Sequence, residues 1–134
     1  MQSKVQLTYV DNMRCETTLP GGLGQLPIDP AFRRDQPGQG PCPLDLLALA
    51  QGSCMAMMLS KAAKERGLDV RGTTVEVTHT YTETVPARLD TARVRFTLPR
   101  RFTADELAAL KAGAELCPVH QSLNAKVEVI LACP

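Results

Sequence analysis

The chain has 134 residues, with 15 basic against 14 acidic side chains for a net charge of +1. That length suits a single domain, residues 1–134, with a real core, and the balanced charge without a basic run lacks the footprint of nucleic-acid binding. Five cysteines, and no signal-peptide pattern in MQSKVQLTYV, point to reduced thiols in the cytoplasm and away from a disulfide scaffold.

Val5, Leu7 and Tyr9 alternate with polar neighbours, and Asp11-Asn12 is a turn signal before a second short run from Met13 to Leu19. A β-hairpin is expected there. Pro20 to Pro43 then holds six prolines and five glycines, and its one recognisable element is a short strand near Gln25 to Ile28. A loop of this length inside a compact domain is usually functional or mobile. It carries Arg33 and Arg34.

Residues 41 to 67, PCPLDLLALAQGSCMAMMLSKAAKERG, form the organising stretch. Pro43 suits the first helical position, Asp45 the first turn, and Gly67 the C-terminal cap. Between Leu44 and Leu59 only Asp45, Gln51, Gly52 and Ser53 interrupt the apolar run, so the helix has no polar face and must be buried. It is too short for a membrane span, which takes about 20 apolar residues. Read from Pro43 to Arg66 it is roughly 36 Å long at about 1.5 Å per residue. One short chain cannot cover such a helix on all sides, so a homodimer with paired central helices is expected.

After Gly67 the period becomes two: Val75, Val77, His79 and Tyr81 on one face, then a turn over Pro86 to Asp90, then Ala92, Val94, Phe96 and Leu98. These make an antiparallel hairpin with one wet face. Thr103 and Glu106 form a capping box before a short second helix, which must end near Cys117 because Pro118 disfavours helix in the residue ahead of it. Pro118 starts a further turn through Leu123. A last strand places Val127, Val129, Leu131 and Cys133 on one side.

Cys54, mid-helix in an apolar run, reads as a small core residue unless a cation reaches it, since the thiolate is the reactive form. Arg33 or Arg34 is the obvious supplier. Cys117 caps a helix N-terminus, where backbone N–H groups favour a thiolate, so it reads as the more acidic thiol; the alternative is a chain reversal in which only the proline matters. His120 could join both cysteines on a metal, although the spacing is no recognised zinc pattern. His79 reads as packed, Met55, Met57 and Met58 as core filler or an adaptable pocket lining, and Asp45 as a cap. Asp45 cannot serve Cys54, being on the opposite helix face roughly 13 Å along the axis. Cys15, Cys42 and Cys133 have no nameable partner.

The pattern P-x-x-L-L-x-x-x-x-x-x-C, Pro43 to Cys54, followed about 60 residues later by C-P-V-H-x-x-L, Cys117 to Leu123, resembles the OsmC/Ohr family of osmotically inducible and organic-hydroperoxide-resistance proteins. The resemblance implies an α+β, OsmC-like fold: antiparallel sheets packed around a long buried central helix, in an intertwined homodimer with its sites at the dimer interface. It also implies a hydroperoxide-reducing activity in which Cys54 is the peroxidatic thiol, Cys117 the resolving one, and a dithiol the reductant. No cofactor, metal, nucleic acid or membrane is expected. The OsmC branch has an arginine nine residues ahead of the helix proline, and Arg34 stands nine ahead of Pro43; Arg33 and Arg14 are the other candidates.

One departure from the family pattern is Leu44, where the family has a glutamate that pairs with the arginine; Asp45 lies one place out, a rotation of about 100°. The readings are therefore a thiol peroxidase for organic hydroperoxides, a small-molecule-binding or redox-sensing module with little turnover, and a metal-binding protein using Cys54, Cys117 and His120.

Overall fold

The computed structural model describes residues 1–30 and 38–134, in two compact units, Met1–Leu47 and Ala48–Pro134. In the first unit, β1 (Leu7–Tyr9), β2 (Cys15–Thr18) and β3 (Gln25–Ile28) form an antiparallel sheet in the order β1-β2-β3. The β1–β2 hairpin is the one expected. Its turn places Asn12 and Met13 at φ 47° and 64°, and is closed by Arg14 N–H to the Asp11 carbonyl at 2.7 Å. At the end of β3, Asp29 N–H donates to the Pro41 carbonyl (3.2 Å), and Asp29 Oδ2 accepts from Gln39 N–H. Residues 38–41 are thereby fixed to the strand that precedes them.

Helix α1 (Pro43–Glu65, 23 residues) starts in the first unit and runs through the second. Its start is capped reciprocally: Cys42 N–H donates to Asp45 Oδ2 (3.1 Å), and Asp45 N–H to Cys42 Sγ (3.4 Å). Capping is therefore what Asp45 does. At the other end Gly67 sits at φ +66°, with its N–H on the Lys64 carbonyl and Leu68 N–H on that of Ala63. This is the Schellman arrangement that a glycine makes cheap. By length and composition α1 could cross a membrane, but its buried residues Gln51, Gly52, Met55, Leu59 and Ala63 form one stripe into the core of the second unit.

In that unit the sheet order is β4 (Thr74–Tyr81), β5 (Leu89–Thr97), β6 (Lys126–Ala132). β4 and β5 pair antiparallel with Val75 opposite Phe96 and Val77 opposite Val94, which puts the alternating apolar residues on one face as their period requires. β5 begins at Leu89, inside the stretch expected as turn. β6 departs from the antiparallel expectation: it pairs parallel to β5, Val94 opposite Val129. The reason is the connection, since a chain that passes through α2 (Ala104–Glu115) and α3 (Pro118–Ser122) returns as a crossover.

The Thr103–Glu106 capping box starts α2, with both reciprocal bonds made, at 2.8 and 3.2 Å. Near its end, Gly113 lies so close to α1 that a Cβ there would fall 2.4 Å from Ala62 Cβ. Met55, Leu59, Phe96, Leu98, Leu110 and Cys117 are fully buried between these elements.

Candidate active site

Two cysteines meet in the second unit. Cys54 comes from the middle of α1 and is partly buried; Cys117 is fully buried as the N-cap of α3. Their thiols are close enough to act on each other. The meeting follows from the packing of α2 on α1 at Gly113, four residues before Cys117 and opposite Met58 and Ala62 of the helix that carries Cys54.

The acidity expected of Cys117 is reversed. Burial pushes its thiol up, the neighbouring Cys54 thiol adds to that, and the His120 and Val119 N–H groups pull the other way without offsetting them. His120 N–H reaches Cys117 Sγ at 3.4 Å, so the cap exists, but desolvation of a thiolate in the core outweighs it. A Cys117 held as a neutral S–H is a donor, and the sulfur it faces is that of Cys54.

Arg34 and Arg33 lie outside the described residues. Arg14 is engaged within its own unit, its Nε 3.5 Å from Oδ1 of the buried Asp29. Asp45 Oδ2 is bonded to Cys42 N–H, and Leu44 is exposed at the helix start. Cys15 and Cys133 are free thiols remote in sequence from this pair.

A polar network lies one helical turn from Cys54, and sequence reasoning missed it. Gln51 is fully buried; His79 Nε2–H donates to its Oε1 at 2.6 Å, and the Tyr81 hydroxyl is 3.4 Å from His79 Nδ1. His79 is thus bonded as well as packed, and burial lowers its pKa, so the ring is neutral. The signal was in the sequence: Gln51 is the one carboxamide in the apolar run. Gly52, beside it, lets β4 come close, since a Cβ there would be 2.7 Å from Val77 Cγ2. Among the described residues no group of three or more His, Cys, Asp or Glu side chains is arranged to hold a metal ion. His120 Nδ1 is buried without a hydrogen-bond partner.

A family model described as OsmC-like protein matches residues 36–132. No curated protein matches the sequence. Among solved structures, a protein from Psychrobacter arcticus 273-4, described as an osmotic stress induced and detoxification response protein, is similar with a TM-score of 0.85 at 23% identity, covering 98% of this chain and 96% of that one. The organic hydroperoxide resistance protein OhrB of Bacillus subtilis gives 0.73 at 16% identity, covering 98% of each chain. An organic hydroperoxide resistance protein OsmC from Legionella pneumophila gives 0.71 at 21%, covering 99% of this chain and 96% of that one. At these identities the likeness establishes the fold, an α+β arrangement of two sheets and a long helix.

Proposed function

The chain belongs to the OsmC-like protein family, and from that premise we propose that it is a thiol-dependent peroxidase that reduces organic hydroperoxides. Family membership supports a redox, peroxide-related role, as does the likeness in fold to hydroperoxide-resistance proteins. The observation that carries the finer reading is the contact between Cys54 and a Cys117 thiol kept protonated by burial.

In the first step the Cys54 thiolate attacks the terminal oxygen of R–O–O–H. The O–O bond breaks as the S–O bond forms, sulfur is oxidised to the sulfenic acid, and the alkoxide takes up the proton released on thiol ionisation to leave as ROH. Cys117, already in contact, then displaces water from the sulfenic acid to give the Cys54–Cys117 disulfide. A dithiol reductant restores both thiols by exchange and is itself oxidised to a disulfide. Arg34 is our candidate for holding the Cys54 thiolate and donating to the departing oxygen, where charge develops. No cofactor is required by these steps. Apolar Leu and Met side chains of α1 favour an organic peroxide over hydrogen peroxide.

We further propose that the working unit is a cytoplasmic homodimer in which each chain acts as a single functional domain. On α1, Leu49 and Met57 are 62% and 69% exposed, and on β1 Tyr9 is 67% exposed. Only 28% of the most apolar 18-residue window of α1 is buried by the chain itself. Apolar surface of this extent marks an interaction site. A concentration-independent mass near 14.5 kDa in light scattering would refute the dimer.

Leu44 favours a second reading, in which the same cysteines oxidise but turnover is negligible and the protein senses or binds a small molecule. Multiple turnovers of cumene hydroperoxide with a dithiol separate the two. On the first reading Cys54→Ser abolishes peroxide consumption, and Cys117→Ser leaves the first oxidation intact and traps the sulfenic acid as a dimedone adduct. Normal turnover in Cys117→Ser would remove Cys117 from the mechanism.

A further inference from the structure

A cleft of about 610 Å³ opens in the second unit where the β4–β5 turn meets the connection from α3 to β6. Its volume is that of an ordinary small-molecule pocket, and the thiol chemistry uses none of its residues. One wall is the turn, braced by its own hydrogen bonds. Thr82 N–H donates to the Arg88 carbonyl (2.9 Å) and Arg88 N–H to Thr82 Oγ1 (3.0 Å). The Thr82 hydroxyl bonds Thr84 Oγ1 (2.7 Å), and the Thr84 hydroxyl donates to the Pro86 carbonyl (3.0 Å). The other wall begins at Leu123, whose N–H reaches the His120 carbonyl at 3.3 Å, and ends at Lys126, which pairs beside Thr91 at the start of β6. Both walls hold their shape without a ligand.

The lining is amphipathic. Leu89, Leu123 and Ala125 are half-buried along the cleft, while Arg88, Asp90 and Lys126 are exposed on it. None of these three charged side chains has a hydrogen bond or ion pair with another described residue. With Lys126 opposite Thr91 and Arg88 three residues before Thr91, the Arg88 and Lys126 Cα atoms are roughly 11 Å apart, three residues of rise along β5 and one strand spacing across it. Two long cationic side chains can meet on one small group across that gap.

Two cations and one anion leave the cleft with a single net positive charge, which suits a monoanion. The guanidinium fork of Arg88 matches a carboxylate. A phosphate is served less well, because it is held best by a nest of backbone N–H groups, and those of Thr82 and Arg88 are already bonded across the turn. The half-buried apolar residues call for a ligand with a hydrocarbon part, since covering them removes apolar surface from water. We propose that this cleft binds a small amphiphilic monocarboxylate, with its carboxylate between Arg88 and Lys126 and its hydrocarbon part against Leu89, Leu123 and Ala125. Asp90 restricts the site to ligands of one negative charge. The site stands apart from the peroxidase reading and does not depend on it.

The test uses octanoate as the probe, titrated calorimetrically into the reduced full-length protein, with 1-octanol and inorganic phosphate as comparisons. Saturable octanoate binding at one site per chain is expected, with the alcohol and phosphate each weaker by about tenfold or more. Arg88→Gln and Lys126→Gln should each weaken octanoate about threefold, because exposed ion pairs are modest, and together about tenfold. Asp90→Asn should tighten octanoate binding, a change that damage to the fold would not produce. All three side chains are exposed, so the variants should melt with the wild type. In a ¹⁵N-labelled sample, the amide shifts caused by octanoate should centre on residues 82–90 and 123–126. The proposal is overturned by an absence of saturable binding at millimolar octanoate, or by 1-octanol or phosphate binding as tightly as octanoate. Unchanged affinity in the double variant, weaker or unchanged affinity in Asp90→Asn, or shifts centred on Cys54 and Cys117 would overturn it equally.

Discussion

Gly113 is the point at which the helix bearing Cys54 and the segment bearing Cys117 are held together, and Gly113→Ala tests that. The added methyl would lie 2.4 Å from Ala62 Cβ and 3.3 Å from the Met58 carbonyl oxygen. Carbon contacts are comfortable at about 3.5–4.0 Å, and neither partner atom can rotate away, so α2 must retreat from α1 by roughly 1 Å. Overpacking of this kind costs about 1–3 kcal/mol. The gain in helix propensity from glycine to alanine offsets about 1 kcal/mol of it. A net loss of about 0–2 kcal/mol, centred on about 1 kcal/mol, corresponds to a Tm lower by roughly 4 °C for a chain of this size. The same retreat draws Cys117 away from Cys54, so disulfide formation after one equivalent of cumene hydroperoxide should slow while alkylation of Cys54 does not. Calorimetry of the reduced protein at fixed concentration, with stopped-flow oxidation, measures both. A Tm that rises by the propensity term alone, or an unchanged condensation rate, would refute the packing argument.

Gly67→Ala carries the opposite diagnosis: φ is +66° in open space, so the loss should be about 1 kcal/mol from backbone conformation alone, read from urea midpoints, and Gly67→Asn should lose less. Burial of the Cys117 thiol raises its pKa above the ordinary value of 9.0, so its thiolate fraction is still growing there; the rate of sulfenic acid to disulfide conversion should climb with pH past 9, and a plateau below pH 8 would contradict the assignment. His79 has a lowered pKa in the folded protein, so the unfolded chain binds the extra proton first; its contribution is fully present above the unfolded value of about 6.5 and is lost as pH falls below it. Urea midpoints should therefore drop between pH 7.5 and 5.5, and His79→Gln should flatten that part of the profile.

Local chemistry was legible in the sequence and distant pairing was not. Pro43, Asp45 and Gly67 marked both ends of α1, and Thr103 with Glu106 marked the start of α2, because caps are contacts between residues a few positions apart. The alternation in β4 and β5 named the buried face, including Val94 and Phe96. The direction of β6 was missed because period two reports a strand's faces and says nothing about its neighbour. Cys117 was misjudged in acidity because a dipole is visible in a sequence whereas the depth of burial that overrides it is not. Arg14 and Asp29, 15 positions apart, gave no local sign of pairing. Gln51 gave one, a lone amide on an apolar helix, but its meaning needed His79 from a strand 28 residues on.

On the proposed mechanism Cys54 and Cys117 react with each other. Fully reduced protein is treated with one equivalent of cumene hydroperoxide, quenched with an alkylating agent and digested without reduction. A fast and dominant Cys54–Cys117 disulfide is the predicted product. Both thiols recovered alkylated, or oxidation confined to Cys15, Cys42 or Cys133, would contradict it.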